Sequence, residues 1–193
     1  MNGENIRLLD TTLRDGEQAV GVIFSPREKR QIASLLASIG IPAIEAGFPA
    51  LGPEEQACIM AVVDADLKTR SGQPLDVYAF ARARRDDIRA SADCGVNGVV
   101  ISISTSESHL QRKFQHPKNW VMDQVTEAAE EAASAGLKFT VSAEDASRTE
   151  LAMLIEFFKQ AEGLGAERVR YCDSLGIEDP YTTYKRIKYI DQE

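Results

Sequence analysis

Segments that predict strands alternate with segments that predict helices along the chain, six times over. The strand segments are short and apolar, whereas the helix segments carry apolar residues at intervals of three and four. The predicted strands cover residues 6–9, 43–47, 76–80, 99–103, 138–142 and 167–172. The predicted helices begin near Pro26, Pro53, Arg85, Trp120, Leu151 and Pro180. This alternation allows an open doubly wound sheet or part of a (β/α)8 TIM barrel.

Local signals mark where several of these elements begin and end. Ser25 and Glu28 predict a capping box at the start of the first helix, and Gly40 predicts its end. Gly163 and Gly165 lie between a helix and a strand, which is the wrong order for a dinucleotide fingerprint and indicates a helix stop. The residues predicted to form the buried face of the first helix are Ile32, Leu35, Leu36 and Ile39.

Size and charge narrow the class of protein. A chain of 193 residues suffices for one well-packed domain. Its net charge of −8 argues against a nucleic-acid surface, and no apolar run approaches the roughly 20 residues that span a bilayer. The beginning of the chain lacks the pattern of a signal peptide. Three isolated cysteines fit a reducing cytoplasm, and we therefore expect a cytoplasmic protein.

Charged residues collect where the predicted strands end. The run DTTLRDGEQ, residues 10–18, places Arg14 and Asp15 after the first strand, and Glu144 follows the fifth. The carboxyl ends of strands bind substrates and metals in β/α proteins. Arg14 can hold a carboxylate or carbonyl in fork geometry, and Asp15 is a hard oxygen ligand. Glu144 requires a facing cation, for which Arg14 or a metal held by Asp15 would serve. A solvated charged loop is the alternative interpretation of the first run.

Four segments together resemble the acyl-CoA-condensing metalloenzymes that include the homocitrate, 2-isopropylmalate and citramalate synthases. These segments are residues 10–18, 44–49, 142–149 and 173–176. Within that group, residues 41–52 and 179–183 are most similar to homocitrate synthases associated with nitrogen fixation. The resemblance implies an incomplete TIM barrel over residues 1–193, with about six of its eight β/α units. It also implies condensation of acetyl-CoA with a 2-oxo acid, with 2-oxoglutarate favoured.

The resemblance also implies roles for individual residues. Asp15 matches a ligand of a divalent metal, which would be Zn, Mg or Mn, and Arg14 matches the arginine that polarises the oxo-acid carbonyl. Glu144 matches the acid/base residue that enolises the acetyl methyl group. This chemistry is reasonable because a weakly acidic thioester needs a base and electrophilic stabilisation. The expected substrate-binding residues are Arg14, Gln18, Ser142 and Ser174.

Two departures from the family pattern affect these expectations. Val100 stands where the family often has a histidine, which alters the oxo-acid pocket. The family's His-x-His metal ligands have no counterpart, because the histidines are His109, expected in a loop, and His116 before a proline. We therefore expect a second polypeptide or a missing C-terminal segment to supply the His-x-His, and we expect an oligomer. An incomplete barrel would also leave Leu8, Ile44 and Val169 short of packing.

Other functions stay open from the sequence. The 2-oxo acid can be that of a 2-isopropylmalate or citramalate synthase. A metal-dependent acyl-CoA lyase runs related chemistry in reverse and looks similar at the first motif, although residues 144–148 favour a synthase. A non-catalytic partial barrel that serves as a partner subunit is the alternative without enzymatic activity.

Overall fold

A computed structural model describes residues 6–193 and gives the bounds of each element. The strands are β1 Leu9–Asp10, β2 Ala43–Gly47, β3 Asp76–Arg82, β4 Gly98–Ser104, β5 Lys138–Glu144 and β6 Arg168–Tyr171. The helices are α1 Pro26–Ser38, α2 Pro53–Val63, α3 Arg85–Asp93, α4 Glu107–His109, α5 Lys118–Ser134, α6 Leu151–Gly163 and α7 Pro180–Asp191. No helix among these described residues has both the length and the apolar character needed to cross a membrane.

The strands form one sheet in the order β1-β2-β3-β4-β5-β6. The pairs β1–β2, β2–β3 and β5–β6 run parallel, as connections through helices require. A doubly wound sheet reverses its strand order part-way, whereas a TIM barrel adds strands in sequence. The sequential order therefore selects the partial TIM barrel of about six units and excludes the doubly wound alternative.

The backbone divides into two compact units. The first comprises the described residues up to Ala81 together with Asp86–Val99, and the second comprises Arg82–Arg85 with Val100–Glu193. All five residues of β2 are buried in the first unit. Apolar side chains from α5, β5 and α6 form the core of the second, and they include Val125, Ala128, Val141, Leu154 and Phe157. The candidate site residues are distributed between these units.

Helix α1 begins as predicted but buries a different face. Ser25 Oγ accepts the backbone N–H of Glu28, and Glu28 Oε2 accepts the backbone N–H of Ser25, which confirms the capping box. The predicted stripe is wrong in part, because Leu35 is 66% and Ile39 71% exposed. The side chains buried in α1 are those of Lys29, Ala33 and Ala37. Small alanines allow α1 to lie close against α2 and β2.

The first strand is shorter than predicted. It covers Leu9 and Asp10 only, and Ile6 and Leu8 are exposed, so the prediction of a buried strand over residues 6–9 is wrong. Val169 in β6 is also exposed, as expected of a strand that lacks part of its packing. The same expectation is wrong for Ile44, which is fully buried because β2 lies between β1 and β3.

The segment that follows β4 contains structure that the sequence analysis missed. Ser106 caps α4 by accepting the backbone N–H of His109 at 3.3 Å. A π-helical turn over Leu110–Phe114 continues from α4 and ends at Gln115 in the left-handed conformation, with φ of 57°. His109, expected in a loop, therefore lies on a short helix that also positions Lys113.

Candidate active site

The six predicted site residues fall into two groups. Arg14, Asp15 and Gln18 follow β1 in the first unit. Ser142 and Glu144 lie on β5 in the second unit, and Ser174 follows β6. Each group lies at or just beyond the carboxyl ends of its strands, as the sequence predicts.

The backbone turns sharply after β1. The consecutive N–H groups of residues 14–16 all donate to the carbonyl oxygen of Thr11, at distances of 3.1, 2.7 and 3.2 Å. A short 3-10 turn over Gly16–Gln18 follows, and the Gln18 side chain is exposed. These bonds fix the backbone that carries the arginine and aspartate of the first motif.

A buried carboxylate holds Arg14. Arg14 Nε donates to Glu45 Oε2 at 2.8 Å, and the Glu45 side chain has no solvent exposure. The guanidinium carbon lies 4.6 Å from the centroid of the Phe80 ring. Arg14 Nη1 also donates to Asp15 Oδ1 at 2.9 Å. Because a guanidinium is planar, these contacts fix the direction of its N–H donors.

Asp15 is open to solvent but does not form a metal site by itself. Its side chain is 61% exposed, and one oxygen is paired with Arg14. No group of three or more His, Cys, Asp or Glu side chains suited to a metal ion occurs within residues 6–193. Zn²⁺ requires about four ligands and Mg²⁺ about six, of which one carboxylate supplies only a part. The described residues therefore do not fit a complete divalent-metal site.

A buried lysine connects the first motif to the rest of the first unit. Lys29 Nζ lies 2.8 Å from Glu17 Oε2, within 3.0 Å of both Glu55 carboxylate oxygens and 3.1 Å from the carbonyl oxygen of Ala46. Glu17 Oε1 accepts the backbone N–H of Phe24 at 2.8 Å. Lys29 is completely buried. It therefore joins α1, α2, the end of β2 and the loop that follows β1 through one ammonium group.

Because Gly47 has no side chain, the Glu55 carboxylate of this network can lie against its backbone. A Cβ atom added to Gly47 would lie 1.9 Å from Glu55 Oε1, well inside any permitted contact. Glu55 cannot easily move away, because the same oxygen accepts the backbone N–H of Phe48 at 3.0 Å and faces Lys29. The glycine that ends β2 is therefore required by the close approach of a carboxylate.

Glu144 ends β5 beside two basic side chains. Glu144 Oε1 lies 3.4 Å from Lys113 Nζ and 3.9 Å from His109 Nδ1. Its side chain is 35% exposed. Ser104 Oγ lies 2.6 Å from His109 Nδ1 and donates to the backbone oxygen of Glu144 at 3.2 Å. Within the second unit the cation that faces Glu144 is Lys113, which the sequence analysis did not name; it named Arg14 or a metal held by Asp15 for this place.

Asp145 holds the turn that follows Glu144. It is completely buried and adopts a left-handed conformation with φ of 61°, which is uncommon for a residue other than glycine. Arg148 Nε donates to Asp145 Oδ1 at 2.9 Å, and Ser106 Oγ donates to Oδ2 at 2.5 Å. Burial raises the pKa of Asp145, but hydrogen bonds from Arg148 and Ser106 outweigh it, so the pKa lies below its ordinary value.

The two predicted substrate-binding serines differ in their surroundings. Ser142 Oγ is buried and has no hydrogen-bond partner among the described residues. A buried hydroxyl without a partner costs free energy, and a bound polar ligand would relieve that cost. Ser174 Oγ accepts the backbone N–H of Asp145 at 2.9 Å. Ser174 therefore stabilises the strained turn and still has a proton to donate.

Three residues of these clusters were not predicted to be functional. Lys113 and His109 lie near Glu144 because a short helix follows β4, and that helix has no long apolar pattern to reveal it. Lys29 occupies the same helical face as Ala33 and Ala37. Lys29, Ala33 and Ala37 recur at intervals of four and therefore share one face of α1. Because the other two residues of that face are small and apolar, the pattern could have indicated that the lysine is buried.

The sequence profile of the HMGL-like family matches residues 5–193. The chain belongs to the HMGL-like family. The match covers both units of this HMGL-like chain and every candidate site residue.

Several relatives of this HMGL-like chain are synthases by name. It is 42% identical over 185 residues to 2-isopropylmalate synthase 2 of Caldanaerobacter subterraneus subsp. tengcongensis, covering 96% of the chain and 47% of that protein. It is 39% identical over 181 residues to homocitrate synthase 1 of Nostoc sp., covering 94% and 46%. Homocitrate synthase subunit alpha of Clostridium pasteurianum is 35% identical over 185 residues, with 96% and 66% covered. The chain thus spans about half the length of the first two relatives.

Solved structures support the fold. The hydroxymethylglutaryl-CoA lyase of Pseudomonas aeruginosa superimposes with a TM-score of 0.80 at 18% identity, covering 97% of this chain and 64% of the lyase. The HMG-CoA lyase of Bacillus subtilis gives a TM-score of 0.79 at 15% identity, with the same coverage. At these identities the likeness concerns the fold alone.

Proposed function

We propose that this HMGL-like chain takes part in the Claisen-type condensation of acetyl-CoA with a 2-oxo acid. The proposal is carried by the 42% identity to a 2-isopropylmalate synthase across 96% of the chain. Among the 2-oxo acids we favour 2-oxoglutarate, which would give homocitrate, because two further relatives are named homocitrate synthases. The first relative supports 2-oxoisovalerate as the second candidate substrate. We place the enzyme in the cytoplasm, where its three cysteines, which form no disulfide within the described residues, would stay reduced.

In this proposal Glu144 is the base that enolises acetyl-CoA. A proton passes from the acetyl methyl carbon to Glu144, and the resulting enolate carbon forms a bond to the ketone carbon of the oxo acid. Lys113 Nζ lies 3.4 Å from Glu144 Oε1 and holds the carboxylate in position for this step. His109 Nδ1 lies 3.9 Å from the same oxygen, too far for a direct hydrogen bond, and we assign it no proton-transfer step. The alkoxide formed from the ketone oxygen gains one proton and Glu144 gives one up to solvent, which restores the base. Hydrolysis of the thioester by one water molecule then releases coenzyme A as the free thiol.

Arg14 stabilises the oxygen that gains charge. The ketone oxygen becomes an alkoxide as the new carbon–carbon bond forms, and a fixed guanidinium stabilises that charge without reorganising. The ion pair with buried Glu45 supports this role, because it holds the guanidinium in one orientation before substrate arrives. Ser142, whose buried hydroxyl has no partner among the described residues, is assigned to the oxo acid, together with Gln18 and Ser174.

Asp15 is proposed to contribute one ligand to a divalent metal, which would be Zn, Mg or Mn. The other ligands would come from a His-x-His segment outside residues 6–193, either on a second polypeptide or on a longer form of this chain. Two observations support this. The first two relatives are about twice as long as this chain, and the Clostridium pasteurianum relative is named as a subunit. If the metal ligands were divided between two polypeptides, the active enzyme would be an oligomer.

Thiol release from acetyl-CoA tests the proposal. The chain is assayed alone and with a co-expressed polypeptide that carries a His-x-His strand, in the presence of 2-oxoglutarate, 2-oxoisovalerate or pyruvate and a divalent metal. We expect activity with the partner and highest turnover with 2-oxoglutarate. Glu144→Gln and Arg14→Ala should each lower kcat by at least about 100-fold.

Matched variants separate these roles from general damage. Glu107→Gln makes the same change at an exposed carboxylate on α4, and Arg7→Ala removes an exposed arginine that precedes β1. Both should leave turnover within about twofold of the parent. Full activity of Glu144→Gln in the reconstituted enzyme would show that another group is the base.

A further inference from the structure

The loop that follows β1 is tied to the end of β2 by more than the ion pair of Arg14. The last backbone pairing of β1 with β2 joins Asp10 to Ile44. Beyond it, the N–H groups of residues 14–16 bond to the carbonyl oxygen of Thr11, which belongs to the same loop. These bonds fix the shape of the turn but not its distance from β2.

Lys29 makes a second connection between these two segments. Its Nζ lies 2.8 Å from Glu17 Oε2, in the loop that carries Arg14, and donates to the carbonyl oxygen of Ala46 at 3.1 Å. Glu45, which accepts from Arg14, is the residue before Ala46 on β2. One buried ammonium group therefore spans the same loop and the same strand end that the Arg14–Glu45 pair joins.

Apolar packing contributes little to the outer part of this loop, because Val20 and Ile23 are exposed. The Glu17 carboxylate instead holds it at two points. Its Oε1 accepts the backbone N–H of Phe24 at 2.8 Å, and its Oε2 faces Lys29. Charge-assisted hydrogen bonds are short and directional, and a completely buried ammonium meets its partners in few arrangements. The position of the loop therefore depends on this carboxylate and its cation.

We propose that Glu17 and Lys29 are positioning residues, which set the orientation in which Arg14 presents its guanidinium to the oxo acid. This inference rests on the proposed function and goes beyond it, because neither residue is assigned a contact with substrate. Without the contact between Glu17 and Lys29, the turn shifts relative to β2 and the pairing of Arg14 with Glu45 loosens. A misplacement of about 1 Å costs an enzyme up to about 100-fold in rate, so a loosened guanidinium stabilises the alkoxide less well.

Glu17→Gln and Glu55→Gln form a matched pair of variants for the reconstituted enzyme. Glu17 and Glu55 lie 2.8 and 2.9 Å from Lys29 Nζ, and their side chains are 19% and 14% exposed. Only Glu17 belongs to the loop that carries Arg14, since Glu55 lies on α2. We expect Glu17→Gln to lower kcat about tenfold and Glu55→Gln no more than about threefold, although both lower Tm. Equal losses of kcat in the two variants would overturn the proposal, because a purely structural network predicts that result.

Coupling to Arg14 separates positioning from general damage. Arg14→Lys already lacks the planar contact with Glu45, so the further change Glu17→Gln should lower kcat by no more than about twofold in the double variant. If the double variant instead shows the product of the two separate losses, the two residues act independently and the proposal is wrong. In Glu17→Gln alone, KM for acetyl-CoA should stay within about twofold of the parent, because Arg14 acts on the oxo acid.

A measurement on the full chain alone separates this inference from the proposed function. Exchange of the Arg14 Nε–H proton with solvent is followed by ¹⁵N NMR of the arginine side chains, and Arg14→Lys identifies the signal. We expect exchange about tenfold faster in Glu17→Gln than in the parent, and a smaller change in Glu55→Gln. Faster exchange in Glu17→Gln, without thiol release by the parent under any condition, would refute the condensation reaction and leave the positioning role standing. Thiol release by the parent, with unchanged kcat and unchanged exchange in Glu17→Gln, would refute the inference and leave the condensation reaction standing.

Discussion

Replacing Lys29 with methionine should destabilise the protein strongly. The substitution keeps most of the side-chain volume but removes the ammonium group that contacts Glu17, Glu55 and the carbonyl oxygen of Ala46. Lys29 is fully buried, and the two carboxylates are only 19% and 14% exposed. Both would be left facing each other without a cation, in a place that water reaches poorly.

Removal of one partner from a buried ion pair typically costs 3–5 kcal/mol. Because both carboxylates keep some exposure, we expect a value near the lower end, about 3 kcal/mol. That is a large share of a total stability of roughly 5–15 kcal/mol. For a chain of this length it corresponds to a fall in Tm of roughly 6–12 °C.

Urea and thermal unfolding, followed by circular dichroism, measure this loss. Arg30→Met is the matched control, because Arg30 is the next residue along α1 and lies on its exposed face. The control should change stability by no more than about 0.5 kcal/mol. The double variant Lys29→Met/Glu55→Gln should recover part of the loss, since it removes one of the unpaired charges. If Lys29→Met costs no more than Arg30→Met, the network does not stabilise the fold.

Three further predictions concern the two site clusters. Arg14→Lys keeps the charge but loses the planar contact with Glu45, so thiol release by the reconstituted enzyme should fall at least about tenfold, whereas Arg7→Lys should have no effect. Gly47→Ala should destabilise by about 1–3 kcal/mol in urea unfolding, because the new Cβ meets Glu55, whereas Gly163→Ala, which meets no atom within 4 Å, should be close to neutral. Folding lowers the pKa of Asp145. The ionised Asp145 side chain therefore stabilises the fold above the ordinary carboxylate pKa, and this stabilisation is lost as the pH falls through the pKa of the folded state. Unfolding measured between about pH 6 and 3 should therefore show a smaller loss of stability for Asp145→Asn than for the parent; parallel curves would contradict this.

The sequence was sufficient to predict most of the architecture. Strand β2 spans the five residues predicted, 43–47, and α1 begins at its predicted cap. These features depend on local chemistry, such as short apolar runs, capping side chains and glycines after helices. The choice between a doubly wound sheet and a TIM barrel required the strand order, which the spacing of elements does not determine.

The sequence was not sufficient where packing decides the outcome. Leu35 is more apolar than Ala33, yet Ala33 is buried and Leu35 exposed, because the close approach of α1 to its neighbours selects small side chains. The partners of the site residues were missed for a similar reason. The ion pair between Arg14 and Glu45 joins residues 31 positions apart, and such pairing is a property of the tertiary fold. Lys113 approaches Glu144 only because of an unpredicted helical turn.

The measurement that tests the central claim most directly is identification of the product. The chain and a polypeptide that carries the His-x-His segment are incubated with 2-oxoglutarate and with acetyl-CoA labelled with ¹³C in both acetyl carbons. The account predicts one free thiol for each molecule of a labelled 2-hydroxy tricarboxylic acid, detected by mass spectrometry. It predicts no such product when Glu144→Gln replaces the parent. Absence of thiol release with every 2-oxo acid, together with cleavage of a 3-hydroxyacyl-CoA, would contradict the account and identify a lyase.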